Sequence, residues 1–284
     1  MKNLNRRDFL KSSSLASAGI ISLSSAGLPF LSEKESEDII AALQKKAPAH
    51  WIWTDENVGE PDKMGQFRLS FEWDGKDEVY WLGFADSMST IWCNGKPLGV
   101  GPIMSVDAWP RLSFWDLSAI AQKGKNVLAL QVWTHGGKSD VGDVSSLEAG
   151  VFGWLSAGDQ ITATGSQWKS RLATGYVHTH PDVMYRSFTE HRLITIDIRN
   201  EPMNWMESDF DDGQWQPATK VHPFQHPERK GYRISEIPNL TCHELHTPKI
   251  IDAGWAIGGI PVVYYEDIAK RMVAQEHQSL LRED

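Results

Sequence analysis

Short apolar runs of five to seven residues alternate with turn residues along most of the chain. From residue 51 onward these runs are FRLSFEW (67–73), EVYWLGF (78–84), STIWC (89–93), NVLALQV (126–132), GVFGWL (150–155) and LITIDI (193–198). They are separated by Asp74-Gly75, Asn94-Gly95, Lys123-Gly124-Lys125 and Ala157-Gly158-Asp159. Glycine beside aspartate or asparagine is typical of tight turns, and between residues 49 and 240 no helical period exceeds a few turns. The pattern predicts an all-β fold, an antiparallel β-sandwich of jelly-roll type.

Helical periodicity occurs only near the two ends of the chain. Residues 33–48 place Ile39, Ile40 and Leu43 on one face, which predicts a short amphipathic helix. The last segment, YEDIAKRMVAQEHQSLLRED (265–284), predicts a C-terminal helix. The chain then divides into a signal peptide (1–32), a short helix and linker (33–48), a β-sandwich (49–222), and a linker with a helix (223–284) that would lead to a catalytic domain in a longer chain.

The first 32 residues have the features of an export signal. The twin-arginine motif Arg6-Arg7-Asp8-Phe9-Leu10-Lys11 precedes a mildly apolar Ser/Ala/Gly-rich stretch, and Ser24-Ser25-Ala26 fits a cleavage site. This stretch is too short and too rich in serine for a membrane span. We therefore expect a periplasmic or extracellular protein that is exported by the twin-arginine pathway and keeps no stable membrane span after signal removal.

That pathway carries folded proteins, which bears on the two cysteines, Cys93 and Cys242. A protein folded in the cytoplasm forms its core with reduced thiols. Both cysteines are therefore expected to be free, with Cys93 packed in a strand.

The net charge narrows the choice of partner. The chain carries a formal charge of −9, and removal of residues 1–32 takes away four basic residues and one acidic residue, which gives −12. Such a body repels nucleic acid and anionic lipid, so we expect no nucleic-acid partner, whereas a neutral partner such as a sugar fits. The thirteen tryptophans serve either to pack a sandwich interior or to stack on sugar rings.

A set of short motifs follows in a fixed order between residues 49 and 250. They are Trp51-Ile52-Trp53, Phe67-Arg68-Leu69-Ser70-Phe71, Phe84-Ala85-Asp86, Ile91-Trp92-Cys93-Asn94-Gly95-Lys96, Val100-Gly101-Pro102, Phe114-Trp115-Asp116-Leu117, Gly124-Lys125-Asn126-Val127-Leu128-Ala129, Gly153-Trp154-Leu155, Ser166-Gln167-Trp168-Lys169, Trp205, Asp209-Phe210-Asp211-Asp212-Gly213-Gln214-Trp215, and Ile237-Pro238-Asn239-Leu240. Taken together, they resemble the N-terminal non-catalytic, galactose-binding-like β-sandwich region of bacterial α-L-rhamnosidase-like glycoside hydrolases. The resemblance implies a carbohydrate-binding sandwich, with the catalytic carboxylates on a separate helical barrel. Nothing in these 284 residues has the length or period of such a barrel.

Sugar binding is the functional hypothesis with identifiable candidate residues. Carbohydrate modules on sandwiches combine an aromatic face with a few Asp or Asn side chains that bind sugar hydroxyls. Asp86, Asn94, Trp109 and Trp133 lie at or beside predicted loops and are the candidates. The competing interpretation is that Asp86 and Asn94 fix turns while the tryptophans fill the core.

Other chemistry is less well supported. Glu207, Asp209, Asp211 and Asp212 form the densest acidic cluster, but their spacing fails the calcium-loop pattern, and we interpret them as a surface turn before Trp215. The pairs His178/His180 and His243/His246 lack the spacing or the third ligand of a zinc site. We assign no catalytic residue, no metal ligand and no cofactor, and leave open whether calcium bridges a sugar.

The sequence therefore favours an exported accessory module that binds a glycan, with rhamnose-containing polysaccharide suggested by the resemblance. Two alternatives stay open. One is a stand-alone lectin-like protein. The other is a small β-sandwich lyase or hydrolase, which would need carboxylates or a Tyr/His pair that converge on one sheet face.

Overall fold

The computed structural model describes residues 31–60, 62–102, 108–134, 148–178, 194–225, 228–237 and 239–241. All of these residues belong to one compact unit, which ends at residue 243. Within these residues the elements are helix α1 (Glu33–Lys46), a 3₁₀ turn (Ile198–Asn200) and strands β1 (Trp51–Trp53), β2 (Lys63–Trp73), β3 (Val79–Asp86), β4 (Met88–Cys93), β5 (Lys96–Gly101), β6 (Arg111–Asp116), β7 (Gly124–Thr134), β8 (Gly150–Ala157), β9 (Gln160–Ala163), β10 (Lys169–Leu172), β11 (Tyr176–His178), β12 (Ile194–Ile196), β13 (Gln216–Pro217), β14 (Thr219–His222), β15 (Arg233–Ile234) and β16 (Leu240–Thr241).

The strands form two main sheets. Sheet A has the order β14-β1-β8-β3-β6-β15, with β9 paired to β8, and sheet B has the order β13-β10-β2-β7-β4-β5-β16. Strands β11 and β12 pair separately. The pairs are antiparallel, except that β15 lies parallel to β6. This arrangement confirms the predicted antiparallel β-sandwich.

The core between the sheets follows from the two-residue period of the strands. In β2 the residues Phe67, Leu69 and Phe71 point into this core. They meet Trp81 of β3 and side chains of β1, β4, β7 and β8. Trp168 is also fully buried there, with its ring centroid 5.4 Å from that of Trp81. Several of the thirteen tryptophans therefore pack the interior and are not available to a ligand.

The outer face of sheet A is covered by helix α1. The helix begins with a capping box in which Ser32 and Glu35 each hydrogen bond to the other's backbone N–H. Its apolar face, Ile39, Ile40 and Leu43, packs against sheet A residues that include Trp51, Tyr80 and Trp154. The observed helix confirms the one predicted over residues 33–48, and it ends two residues earlier.

The outer face of sheet B is covered by residues 205–215, which we call the cover segment. Trp205 and Trp215 pack on Ala129 of β7. Beneath them, the buried Arg68 guanidinium pairs with Asp212 at 2.9 Å and donates to the carbonyl of Glu207 at 3.1 Å. The acidic cluster is thus a turn that leads to a buried tryptophan, as the sequence predicted.

The later part of the chain differs in detail from the predicted pattern. The run at 193–198 forms a strand only over Ile194–Ile196 and continues into the 3₁₀ turn. Strands β15 and β16, which follow residue 222, pair with β6 and β5. The domain boundary at residue 222 stays a prediction, and the C-terminal helix predicted for 265–284 lies outside the described residues. In the described part of the chain, no helix has the length and apolar character to cross a membrane.

Candidate functional site

Asn94 lies in the tight turn between β4 and β5. Its φ is 48° and that of Gly95 is 77°, the left-handed pair that a two-residue hairpin turn of type I′ requires. The Asn94 side chain donates to Asn126 Oδ1 at 2.8 Å and accepts from the Val127 N–H at 2.9 Å. The side chain therefore ties the turn to β7.

Asp86 ends β3 and is fully buried. Its Oδ2 lies 2.9 Å from Nη2 of Arg229, and Ser87 Oγ donates to its Oδ1 at 3.3 Å. The Arg229 guanidinium lies 4.2 Å from the centroid of the Trp51 ring. The Trp51 indole in turn donates to the hydroxyl of Tyr232, whose pKa is raised mainly by burial. The carboxylate of Asp86 thus belongs to a buried ion pair.

The two candidate tryptophans lie near the same end of the sandwich as Asp86. Trp133 is half-buried on β7 and pairs in register with Met88, and its carbonyl accepts from the Ser87 N–H. Trp109 is half-buried, with the guanidinium of Arg233 4.5 Å from its ring centroid.

The four candidates do not form one site. Strand β4 separates Asp86 from Asn94, and its six residues span about 20 Å at roughly 3.3 Å each. Asp86, Trp109 and Trp133 thus lie near one end of the sandwich and Asn94 at the other. Their contacts are those of turn-fixing and packing residues, and the sugar-binding role assigned to them stays a prediction.

The structure instead has a concave site at the open edge between the two sheets, which we call the edge cleft. It has a volume of about 650 Å³, which is within the usual range of ligand sites. It is lined by residues 54–55, 170–172, 199–202 and 214–216. Strand β10 passes through it, and β13 pairs only with Lys169 and Ser170, so the cleft opens where that pairing stops.

One wall of the edge cleft is a fixed polar network. Arg171 Nη1 lies 3.1 Å from Glu201 Oε2 and 3.1 Å from Gln66 Oε1. Gln66 also donates to Glu201 Oε2 at 3.0 Å and to Gln131 Oε1 at 3.3 Å. The Gly175 N–H donates to Glu201 Oε1 at 2.6 Å. The Glu201 carboxylate therefore accepts three hydrogen bonds and is fixed in place by the protein itself.

The opposite side of the edge cleft carries hydroxyl groups. Thr54 follows β1 and Ser170 lies in β10, and the hydroxyl oxygens of both are buried without a hydrogen-bond partner. Buried hydroxyls in folded proteins are almost always hydrogen-bonded. These two groups therefore have bonding capacity that the protein itself does not use.

Sequence reasoning missed the edge cleft because four separate segments build it. Only the position of Ser170 and Arg171 directly after the Ser-Gln-Trp-Lys motif at residues 166–169 could have drawn attention to it. Successive side chains of a strand point to opposite faces of the sheet, so in β10 Ser170 points towards the sandwich interior and Arg171 towards the outside. One strand therefore contributes a residue to each side of the cleft.

Metal chemistry has no evident site in this part of the chain. Among the described residues, no three His, Cys, Asp or Glu side chains are grouped to hold an ion. His180, Cys242, His243 and His246 lie outside the described residues.

Several solved structures resemble this chain in fold. No protein-family model and no curated protein sequence matches the chain. A GH78 family rhamnosidase of Bacillus sp. GL1 aligns with a TM-score of 0.60 and 23% identity, over 67% of this chain and 20% of that chain. The α-L-rhamnosidase of Aspergillus terreus aligns with a TM-score of 0.46 and 18% identity, over 66% and 22%. The lectin of Pleurotus ostreatus in its apo form aligns with a TM-score of 0.43 and 20% identity, over 66% and 45%.

The chain thus spans about a fifth of the length of the rhamnosidases that it matches. The Bacillus enzyme and this chain share a fold at low sequence identity. At the level of the fold, the structure confirms the resemblance to part of an α-L-rhamnosidase that the ordered motifs predicted.

Proposed function

We propose that this chain is an exported, glycan-binding accessory region of an α-L-rhamnosidase-like glycoside hydrolase, and that it hydrolyses nothing by itself. The observation that carries the proposal is the fold. The sandwich aligns over 67% of this chain with a GH78 family rhamnosidase, but with only 20% of that enzyme. A glycan that contains rhamnose is accordingly the first ligand to test.

The two carboxylates that line the edge cleft support a non-catalytic role. Glycoside hydrolysis needs one carboxyl group that gives up a proton and a second that acts as base or nucleophile. Glu201 accepts hydrogen bonds from Arg171, Gln66 and the Gly175 N–H, which hold its carboxyl group in the cleft wall. Asp55 accepts from the Asn57 N–H at 2.8 Å in a local turn. Both carboxyl groups are therefore already engaged by hydrogen bonds to groups of the protein itself.

The position of the cap of helix α1 is compatible with removal of a signal peptide. The first described residues are Leu31 and Ser32, and Ser32 caps helix α1. Cleavage after Ala26 would leave this cap intact. Replacement of both Arg6 and Arg7 by lysine should retain the chain in the cytoplasm, which cell fractionation would detect.

Glycan binding and hydrolysis can be tested on the same purified chain. We expect saturable binding to at least one member of an array of monosaccharides and polysaccharides, measured with and without a chelator, and no release of rhamnose from rhamnosides. Hydrolysis that disappears in Asp55→Asn or Glu201→Gln would contradict the non-catalytic role. A chain that binds no glycan in the array would contradict the proposal as a whole.

A further inference from the structure

We propose that the edge cleft is the glycan-binding site and that its ligand is a neutral saccharide, held by hydrogen bonds to its hydroxyl groups. This inference rests on the proposed glycan-binding function and adds the place and the chemical class of the ligand. None of Asp86, Asn94, Trp109 and Trp133 lines this cleft.

Arg171 provides a donor group that is held in place before a ligand arrives. A guanidinium has five N–H donors. Nη1 of Arg171 uses its two on Glu201 and Gln66, and Nη2 uses one on the Asn200 carbonyl at 3.5 Å. The Nε hydrogen and the second Nη2 hydrogen have no partner among the described residues. Because the side chain is already fixed, binding through these donors loses little conformational entropy.

The free hydroxyls add bonding capacity on the other side of the cleft. Ser170 is 1% exposed, and its Oγ and that of Thr54 are buried without a partner. A hydroxyl can both donate and accept. Because both oxygens are buried, a saccharide hydroxyl reaches them only after a rotation of the hydroxyl-bearing side chains or through a bridging water, which then supplies the partner that both lack.

The charges of the cleft favour a neutral ligand. Its two arginines each face a carboxylate: Arg171 pairs with Glu201 at 3.1 Å, and Arg199 pairs with Asp197 at 2.7 Å. A uronate would meet guanidinium groups that are already paired, and Asp55 adds one more negative charge to the lining. An uncharged sugar is not repelled by Asp55 and does not compete with Glu201 and Asp197 for the guanidinium groups.

Recognition in this cleft is polar, with little contribution from ring stacking. Trp215 is only 7% exposed. Its ring lies 5.7 Å from that of Trp205 and 5.8 Å from the Arg171 guanidinium, so its faces are occupied. Removal of single hydroxyl groups from the sugar should therefore weaken binding more than changes of ring hydrophobicity.

The test compares cleft variants with a matched control by isothermal titration calorimetry. The titrants are a neutral oligosaccharide that the glycan array identifies and a uronate-containing oligosaccharide of the same length. The double variant Gln214→Ala/Gln216→Ala removes two exposed amides of the cleft, and Gln160→Ala removes an exposed amide on β9, outside it. We expect the double variant to bind the neutral sugar at least tenfold more weakly, and Gln160→Ala to bind it as the unchanged chain does.

Arg171→Lys provides a second test, because it keeps the positive charge but removes the planar donors. It should also lose at least tenfold in affinity while thermal unfolding confirms that it is folded. If the cleft variants bind as tightly as the unchanged chain, the cleft assignment is wrong and the proposed function stands. Tighter binding of the uronate oligosaccharide would overturn the neutral class. If the unchanged chain binds no glycan, the proposed function fails and this inference fails with it.

Discussion

Two arginines, Arg68 and Arg229, are buried, and each is held by an aspartate far away in sequence. Arg68 pairs with Asp212 and Arg229 with Asp86, both at 2.9 Å. A buried ion pair contributes little net stability compared with a well-packed apolar pair, but the loss of one partner leaves an uncompensated charge. These pairs therefore fix where residues 205–215 and 228–235 lie on the sandwich.

Asp86→Asn tests whether the candidate carboxylate is structural. Because it leaves the Arg229 guanidinium buried without its counter-charge, we expect the free energy of unfolding to fall by about 3–5 kcal/mol. Urea denaturation measures this. Glu60→Gln, which breaks the surface pair between Lys63 and Glu60 at 2.9 Å, should cost no more than about 1 kcal/mol. Equal effects of the two substitutions would show that Asp86 does not act through the buried pair.

The thiol of Cys93 is the other buried titratable group with a clear consequence. It is fully buried in β4, and burial raises its pKa to about 12, opposed weakly by Lys96. An unfolded cysteine has a pKa of about 8.5. Below that pH both states hold the proton and the full stability is present. As the pH rises from about 8.5 towards 12, the unfolded state alone loses its proton, and stability falls by about 1.4 kcal/mol per pH unit.

This behaviour can be measured in a Cys242→Ser background, where Cys93 is the single thiol. At pH 8 the folded protein should not react with iodoacetamide, whereas the denatured protein should. Above pH 9 its free energy of unfolding should fall more steeply with pH than that of the same protein carrying Cys93→Ala. Rapid alkylation of the folded protein, or equal pH slopes, would be incompatible with a buried, protonated Cys93.

Among the elements, the β4–β5 hairpin shows how directly a short sequence can specify structure. Asn94 and Gly95 both adopt positive φ, as an Asn-Gly pair between apolar runs predicts. The turn also touches the cover segment, since the Gly95 N–H donates to the carbonyl of Met206 at 2.9 Å. Glycine suits this position because of its positive φ, and the group nearest to an added Cβ is the flexible carboxyl end of Glu207.

Gly95→Ala and Gly124→Ala test what a positive φ costs at a turn. The two glycines have φ of 77° and 97°. A Cβ at Gly95 would approach the Glu207 carboxyl group, the far end of a flexible, partly exposed side chain that can turn away, whereas a Cβ at Gly124 meets nothing within 4 Å. Each substitution should therefore cost a similar amount, about 1–2 kcal/mol of backbone strain, which chemical denaturation measures. In the double variant Gly95→Ala/Glu207→Ala the cost of the glycine substitution should be unchanged; a clear recovery of stability would show that the carboxyl group cannot turn away.

The same elements show what the sequence could and could not predict. Runs in which every second residue is apolar, such as Phe67–Phe71 in β2, predicted the strands and which side chains point inward. This was possible because the alternation can be read within a few consecutive residues. The two-residue strands β15 and β16 are too short to carry a period. The edge cleft was unpredictable for a related reason. Its polar residues gain meaning only when β1, β10, the 3₁₀ turn and the cover segment come together.

For the described molecule as a whole, the covering of both sheets decides where a ligand can bind. Helix α1 and Tyr232 cover the outer face of sheet A, and the cover segment covers that of sheet B. A flat glycan platform on either sheet face would require one cover to leave, at the cost of exposing several buried aromatic side chains. The margins of the sandwich remain, and the edge cleft lies on one of them.

Leu43→Ala tests this separation between the covered faces and the binding site. Leu43 is 2% exposed and anchors helix α1 on sheet A, so its truncation should lower the free energy of unfolding by about 2–5 kcal/mol. The edge cleft contains no residue of α1. The folded variant should therefore bind its glycan with an affinity within about twofold of that of the unchanged chain, measured by calorimetry at a temperature where it is fully folded.

Lys45→Ala, at an exposed position of the same helix, is the control and should change neither the free energy of unfolding nor the affinity for the glycan noticeably. If Leu43→Ala weakened glycan binding as strongly as the cleft substitutions do, the ligand would have to contact the sheet A face, because only that face loses its cover.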